Sequence, residues 1–441
     1  MKTIYNRLLV LFVLGALSAC TLDDIQNPNA PTVSSFENGA SQQDLILLTT
    51  GLEAIMRNDM GFHYQTVSIL GREYNDLTQV DPRYTGELVI GTALDNNGFL
   101  TTRAYAAWYK IVQTANVLIE AVNNSATSLS EAELDGYRGY ARTIKAYALL
   151  MVANRQFSNG IRVDVDDPDN LGPFVSYAEA LTAIRGMLES ANTELSNAGA
   201  AFDFPLSSGF AGFDTPATFA EFNRGLAARV AIYQGDDTAA LGFLANSFMD
   251  EAGSMDMGPA HTFGLTGNDI SNPLFYVPNQ QRYMAHPSFS QDAEAGDGRV
   301  DDNTSLFDDT GDSVTDTVRF DGLTGWRQVT QFASNVAPVP IMKNVELLLI
   351  YAEANIGTNN VEALRVLNIV RASAGLGAST ANPAVDAEVV DEMLNQRRYS
   401  LFGLGHRWVD LRRYNRLSDL PLDRAGDTVA EEFPTPFAEN Q

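Results

Sequence analysis

Cys20 is the only cysteine in 441 residues, so no disulfide can form within the chain and a hydrophobic core must hold the fold. A chain this long, with 45% hydrophobic residues, can bury such a core, because the buried share of surface rises with size. The apolar spacing predicts helices. Leu45, Leu48, Leu52, Ile55 and Met56 recur at three- and four-residue steps from about Ser41, as one buried helix face requires. Ile111, Val112, Ala115, Leu118, Ile119 and Val122 repeat that pattern over Trp108–Val122. A long helix is expected from about Ser130 to Phe157, opened by the capping signature Ser130-Glu131-Ala132-Glu133 and ended by Asn159-Gly160. Amphipathic helices are also expected over Tyr177–Leu195, Thr218–Tyr233, Val345–Ile356, Glu362–Ser373 and Asp391–Leu404.

Residues 251–340 differ. They hold many of the glycines, prolines and aspartates and no long helical period; the short apolar runs Leu274–Val277 and Gln328–Phe332 are candidate strands. Two helical stretches resemble each other. Ala227–Asp237 runs through Gly235 into Ala239-Ala240-Leu241, and Leu349–Ala354 runs through Gly357 into Glu362-Ala363-Leu364. Both read as helix, glycine-bearing turn, helix, in the manner of degenerate tetratricopeptide units. The expected fold is mostly α: an irregular tetratricopeptide-like superhelix of helical pairs, with a loop-rich segment carrying a few short strands. Residues 41–441 are expected to form a single domain, with a helical body at 41–250 and 341–416, a loop-rich ligand-facing segment at 251–340 and an irregular tail at 417–441.

The N-terminus reads as an export signal at 1–19. Lys2 and Arg7 precede the apolar stretch Leu8–Leu17, and Ser18-Ala19 supply small residues at the cut. Leu17-Ser18-Ala19-Cys20 looks like a bacterial lipobox, which implies cleavage before Cys20 and lipid on its sulfur. Residues 20–40 are polar and proline-bearing, a spacer behind that lipid. Cleavage removes two basic and no acidic residues, moving the net charge from −26 to −28. No other apolar run approaches the roughly 18 residues that cross a bilayer. A surface this acidic repels phosphate, so nucleic acid is excluded as a partner.

Catalytic signatures are absent: the sequence has no HExxH, Gly-x-Ser-x-Gly, Walker loop or Gly-x-Gly-x-x-Gly. His63, His261, His286 and His406 are scattered, with none four residues from another. The acidic stretches Asp164–Asn170 and Asp308–Asp312 bring oxygen ligands close enough for calcium, but neither has the EF-hand spacing, and solvated turns are the favoured reading. The expectation is no enzyme, no metal and no resident cofactor.

The closing blocks carry more. Glu346, Ala352-Glu353-Ala354, Asn368 and Arg371 are followed by Arg397-Arg398, Gly405-His406-Arg407 and Asp410-Leu411-Arg412-Arg413. Together with Trp108–Asn116, Arg142–Leu150, Ala227–Asp237 and Phe433-Pro434-Thr435-Pro436, these resemble the SusD/RagB family of outer-membrane nutrient-binding lipoproteins. The chain departs from that pattern at Gln396, Ser400 and Leu404, where the family usually has acidic residues. Those departures put the local salt-bridge network in question. The arginines of the block are expected to pair Asp410, Glu353 or Glu346, because buried arginine needs a carboxylate.

The resemblance implies a cell-surface lipoprotein that captures an oligomeric nutrient, most readily a glycan, and passes it to a TonB-dependent SusC-like transporter. Peptide or other nutrient binding in the same complex, or an envelope scaffold without small ligand, are the alternatives. Capture needs aromatic faces beside hydrogen-bonding groups. Trp108 lies on an apolar helix face and Trp408 within the arginine block, so both are expected in the core. The candidate ligand residues are Trp326 and Arg327 in the loop-rich segment, Tyr74 and Asp76, Tyr84, and Tyr283.

Overall fold

The computed structural model describes residues 39–90, 94–267, 269–277 and 280–440. The export signal, Cys20 and nearly all of the 20–40 spacer lie outside them. The first helices are α1 (Gln42–Ile55), α2 (Met60–Leu70), α3 (Arg83–Ile90), α4 (Phe99–Asn123) and α5 (Glu131–Gln156). They are followed by α6 (Tyr177–Asn197), α7 (Pro216–Tyr233) and α8 (Asp237–Leu244). After two short helices, α9 (Pro287–Gln291) and α10 (Arg299–Asn303), the chain returns to α11 (Asn344–Asn355), α12 (Asn360–Ser373), α13 (Asp386–Ser400) and α14 (Arg407–Arg413). Among the described residues, no helix is long and apolar enough to cross a membrane.

Local chemistry sets the helix ends. Ser130 N donates to Glu133 Oε2 at 2.7 Å while Ser130 Oγ accepts from Glu133 N, so the expected capping box forms. Ser41 and Ser176 cap α1 and α6 in the same way. The helix expected to reach Phe157 stops at Gln156, and a 3₁₀ turn, Phe157–Asn159, leads into Gly160. Gly160 has φ +72°, and a Cβ there would sit 2.3 Å from the Val175 carbonyl oxygen. Gly160→Ala is therefore expected to destabilise the protein by about 1–3 kcal/mol. Urea unfolding checks this, and an unchanged midpoint would sink it.

The mostly α architecture is as expected. Pairs α5–α6, α7–α8 and α11–α12 pack together, the latter two around small residues including Ala227, Ala228, Ala240, Ala352 and Ala363, all fully buried. The loop-rich segment carries the expected short strands. Strands β1 (Tyr74–Asp76), β5 (Tyr283–Ala285), β9 (Arg327–Val329) and β6 (Thr304–Leu306) form one antiparallel sheet in that order. Two-stranded ribbons join β2 (Ile161–Arg162) to β3 (Phe174–Val175), β4 (Ala260–His261) to β10 (Val339–Pro340), and β7 (Val318–Phe320) to β8 (Leu323–Gly325).

The run Leu274–Val277 is not a strand. Asn272 Oδ1 accepts from Leu274 N at 2.7 Å, and Gln281 Oε1 accepts from Val277 N at 2.9 Å. Side-chain acceptors take the donors that a ladder would need. Trp108 and Trp408 are in the core as expected, 2% and 0% exposed, with their indole N–H groups donating to His63 Nδ1 and the Ala430 carbonyl.

The arginine block is mainly structural. Arg397 Nε donates to Asp410 Oδ2 at 2.7 Å, Arg413 bridges Asp410 and Glu353, and Arg229 makes a bidentate pair with Glu346. Arg412 instead donates to the carbonyls of Glu431 and Asn154. At the three departures from the family pattern, Gln396 Nε2 donates to Glu392, Ser400 Oγ accepts from Arg299, and Leu404 is buried.

Candidate ligand-binding site

The register of the four-stranded sheet gathers three of the six candidate residues. Tyr74 lies opposite Ala285 and Asp76 opposite Tyr283. Alternation along the strand puts Tyr74, Asp76 and Tyr283 on one face. Tyr276, reached from the turn after Asn272, stacks on Tyr283 with centroids 3.7 Å apart and planes 15° from parallel. Tyr74 meets both rings edge-on, and its hydroxyl lies 3.2 Å from that of Tyr276. Burial raises the Tyr74 and Tyr276 phenols well above their ordinary range, so both stay protonated.

Asp76 accepts from Thr78 N at 2.9 Å and from Gln65 Nε2 at 3.2 Å, and burial raises its pKa. Gln65 belongs to α2 and opens onto a cleft of about 710 Å³. That cleft lies between α2, α3, α4, the turn at 57–59 and the loop at 270–273. Phe62 and Tyr84 supply its aromatic faces, while Gln65, Lys110, Ser271 and the ion pair of Arg103 with Asp59 supply polar groups. Tyr84 meets Phe99 edge-on at 5.9 Å, and Phe99 lies 5.7 Å from Phe62. Guanidinium groups cap these rings: Arg83 lies 4.2 Å from the Phe99 centroid and Arg103 4.9 Å from that of Phe62. Gly61 lets the 270–273 loop approach, since a Cβ there would meet Pro273 Cγ at 2.6 Å. Burial pushes the Tyr84 phenol up to about 12, so its hydroxyl donates at neutral pH.

Trp326 and Arg327 are placed differently. Trp326 is half-buried at the bend between β8 and β9, where its carbonyl accepts from Phe307 N at 2.9 Å. It does not line the cleft. Arg327 shares the sheet with Tyr283 through β5 and β9, but its donors are occupied by Thr304 and Asp301. Sequence reasoning passed over Gln65, Phe62, Arg103, Lys110 and Tyr276. The spacing of Arg103, Ala106, Ala107 and Lys110 was the available signal, a single exposed face at helical steps.

The acidic stretches weighed for calcium are internally engaged. Asp308 accepts from the backbone N–H groups of Gly311 and Ser313, and Asp166 pairs with Lys145 at 2.6 Å. Among the described residues, no three His, Cys, Asp or Glu side chains come together as metal ligands.

Glu73, just before β1, is 3% exposed and accepts from Gly403 N at 3.0 Å. Burial pushes its carboxyl up to about 7 from 4.5. A folded-state pKa above the unfolded one gives stability that is full below about 4.5 and lost as pH rises through about 7. Glu73→Gln should flatten the pH dependence of urea stability between about pH 5 and 8. An equal slope in both proteins would refute the assignment.

A family model described as the SusD family matches residues 324–438. A SusD superfamily protein from Bacteroides vulgatus superposes with TM-score 0.66 at 15% identity, over 90% of this chain and 96% of that one. Surface glycan-binding protein A from Bacteroides thetaiotaomicron, in complex with laminarihexaose, gives TM-score 0.69 at 14% identity, over 91% and 97%. A laminarin-binding SusD-like protein gives 0.63 at 16%, over 90% and 97%. No curated protein matches by sequence. The resemblance to the SusD/RagB family therefore holds, through the sequence of the closing quarter and through the fold of nearly the whole chain.

Proposed function

We propose that this protein captures an oligomeric glycan in the cleft beside the tyrosine cluster and delivers it, chemically unchanged, to a TonB-dependent outer-membrane transporter. The observation that carries the reading is the cleft itself. It is large enough for an oligosaccharide, and it sets aromatic faces beside Gln65, Lys110 and the Arg103–Asp59 ion pair. Sugar rings bury their C–H faces against aromatics while amides and guanidinium groups hold the hydroxyls. The binding of laminarin and laminarihexaose by proteins of this fold supports a glycan as the ligand class. Lipid on Cys20 would hold the domain at the outer-membrane surface, and the order of residues 1–20 supports that placement.

The test is calorimetric titration of protein starting after Cys20 with neutral and acidic oligosaccharides, laminarihexaose among them, and with peptides. Saturable binding of an oligosaccharide and no heat with peptides is the expected result. Binding of peptides alone would overturn the glycan assignment.

A further inference from the structure

Arg72 is 1% exposed and gives its guanidinium to main-chain carbonyls alone. Nη1 donates to Ile69 at 3.1 Å, at the C-terminus of α2, and Nη2 to Val89 at 2.5 Å, at the C-terminus of α3. The same side chain reaches the tail, donating to the carbonyls of Thr428 at 2.7 Å and Pro421 at 3.3 Å. α2 carries Phe62 and Gln65 into the cleft, and α3 carries Tyr84. One guanidinium therefore joins the ends of two cleft walls to a segment that lies 356 residues further along the chain.

α3 needs outside partners. It has eight residues, of which only Thr85, Leu88 and Val89 are buried, and a helix this short is marginal on its own. Its last four carbonyls find no partner within the helix. Arg72 takes that of Val89, and Thr428 takes that of Ile90 through its backbone N–H at 3.0 Å and through its hydroxyl. A cation at this end also complements the helix dipole. Arg424, from the same tail, donates through Nη2 to the Thr85 carbonyl at 2.8 Å, one residue beyond Tyr84. Its Nη1 holds the Asp321 carbonyl at 2.9 Å in the β7–β8 turn, and its Nε holds the buried Asp427 carboxylate at 2.9 Å.

We propose that residues 421–428 are a strap that sets the Tyr84 wall of the cleft, with Arg72 and Arg424 as positioning residues for ligand capture. Neither side chain lines the cleft. Both act through the main chain of α3, whose placement fixes how Tyr84 stands against Phe62 and Gln65 of α2. The effect on affinity rests on glycan capture in the cleft, whereas the effect on α3 is measured without ligand.

Two variants of the protein starting after Cys20 weaken the strap. Arg72→Lys keeps the charge and loses the planar fork; Arg424→Met combined with Asp427→Asn leaves no buried carboxylate unpaired. Amide hydrogen exchange over 83–90 should quicken about tenfold or more in both, with exchange over 360–373 unchanged. Calorimetry with laminarihexaose should show affinity weakened about fivefold or more, and most of that loss should vanish in the Tyr84→Ala background. A role in stability alone would move exchange over both segments and add to the effect of Tyr84→Ala. If Arg72→Lys does not fold, the double variant decides. Exchange over 83–90 at the wild-type rate, or wild-type affinity alongside fast exchange, would overturn the strap. Failure of the wild type to bind laminarihexaose counts against the glycan reading, and exchange over 83–90 then decides the strap alone.

Discussion

Replacing Glu346 with alanine is expected to destabilise the protein by roughly 3–5 kcal/mol, the effect of leaving one member of a buried ion pair alone. Glu346 and Arg229 side chains are only 2% and 3% exposed, and Arg229 donates through Nε at 2.6 Å and Nη2 at 2.7 Å. Burial works against both charges. Arg229 nevertheless keeps the Glu346 carboxyl below its usual range, with His406 at 3.8 Å adding to the effect. The pair ties α7 to α11 across 117 residues of chain, so alanine strands a guanidinium where two helical runs meet. Its remaining partner would be the Ile341 carbonyl at 3.3 Å. Arg229→Met combined with Glu346→Leu should recover most of the loss, because apolar groups of similar volume carry no desolvation penalty. Urea unfolding of the three proteins reads both effects. A loss below about 1 kcal/mol for Glu346→Ala would mean that water or a rearranged side chain satisfies Arg229.

Tyr84→Ala should weaken oligosaccharide capture about ten- to hundredfold, the range in which a central aromatic anchor contributes. Tyr84 is half-buried, its ring forms one wall of the cleft, and its hydroxyl stays protonated at neutral pH. Truncation removes the apolar face and the donor together. Trp326→Ala should leave affinity within about threefold, because Trp326 stands outside the cleft. Calorimetry on both variants separates the two placements. Equal affinity for wild type and Tyr84→Ala would move the site away from the cleft, and a large loss in Trp326→Ala would relocate it to the β8–β9 bend.

Legibility differed sharply between helices. The amphipathic helices α1, α4 and α6 bury one face and expose the other, which writes a period of 3.6 into the sequence, whereas α5 is buried on all sides from Thr143 to Gln156 and was legible from its capping box. All eleven residues of α2 are buried, so His63, Gln65, Thr66 and Ser68 stand at core positions and no polar face marks the helix. That helix forms one wall of the cleft, so the cleft was hidden along with it. The start of α13 also differs from the expected Asp391. The observed helix begins at Asp386, where Asp386 and Glu388 favour its first turn.

Among the ligand candidates, the aromatic-polar character of Tyr74, Asp76, Tyr84 and Tyr283 was visible in the sequence, but their grouping was not. Tyr276, outside any strand, stacks on Tyr283 of β5, a contact that no periodicity encodes. Arg327 looked like a ligand donor until the sheet brought Thr304 and Asp301 to it.

By itself the sequence determined the helical pairs, their caps and the arginine–carboxylate logic of the closing block, because each rests on spacing along one helix or on the charge of a motif. Tertiary structure alone decided which polar groups were left over. The cleft is built from elements more than 150 residues apart, joining Gln65 and Tyr84 to Ser271. Whether an arginine is paired depends on what packs against it from another element, and this is why Arg397 has a carboxylate and Arg407 has none.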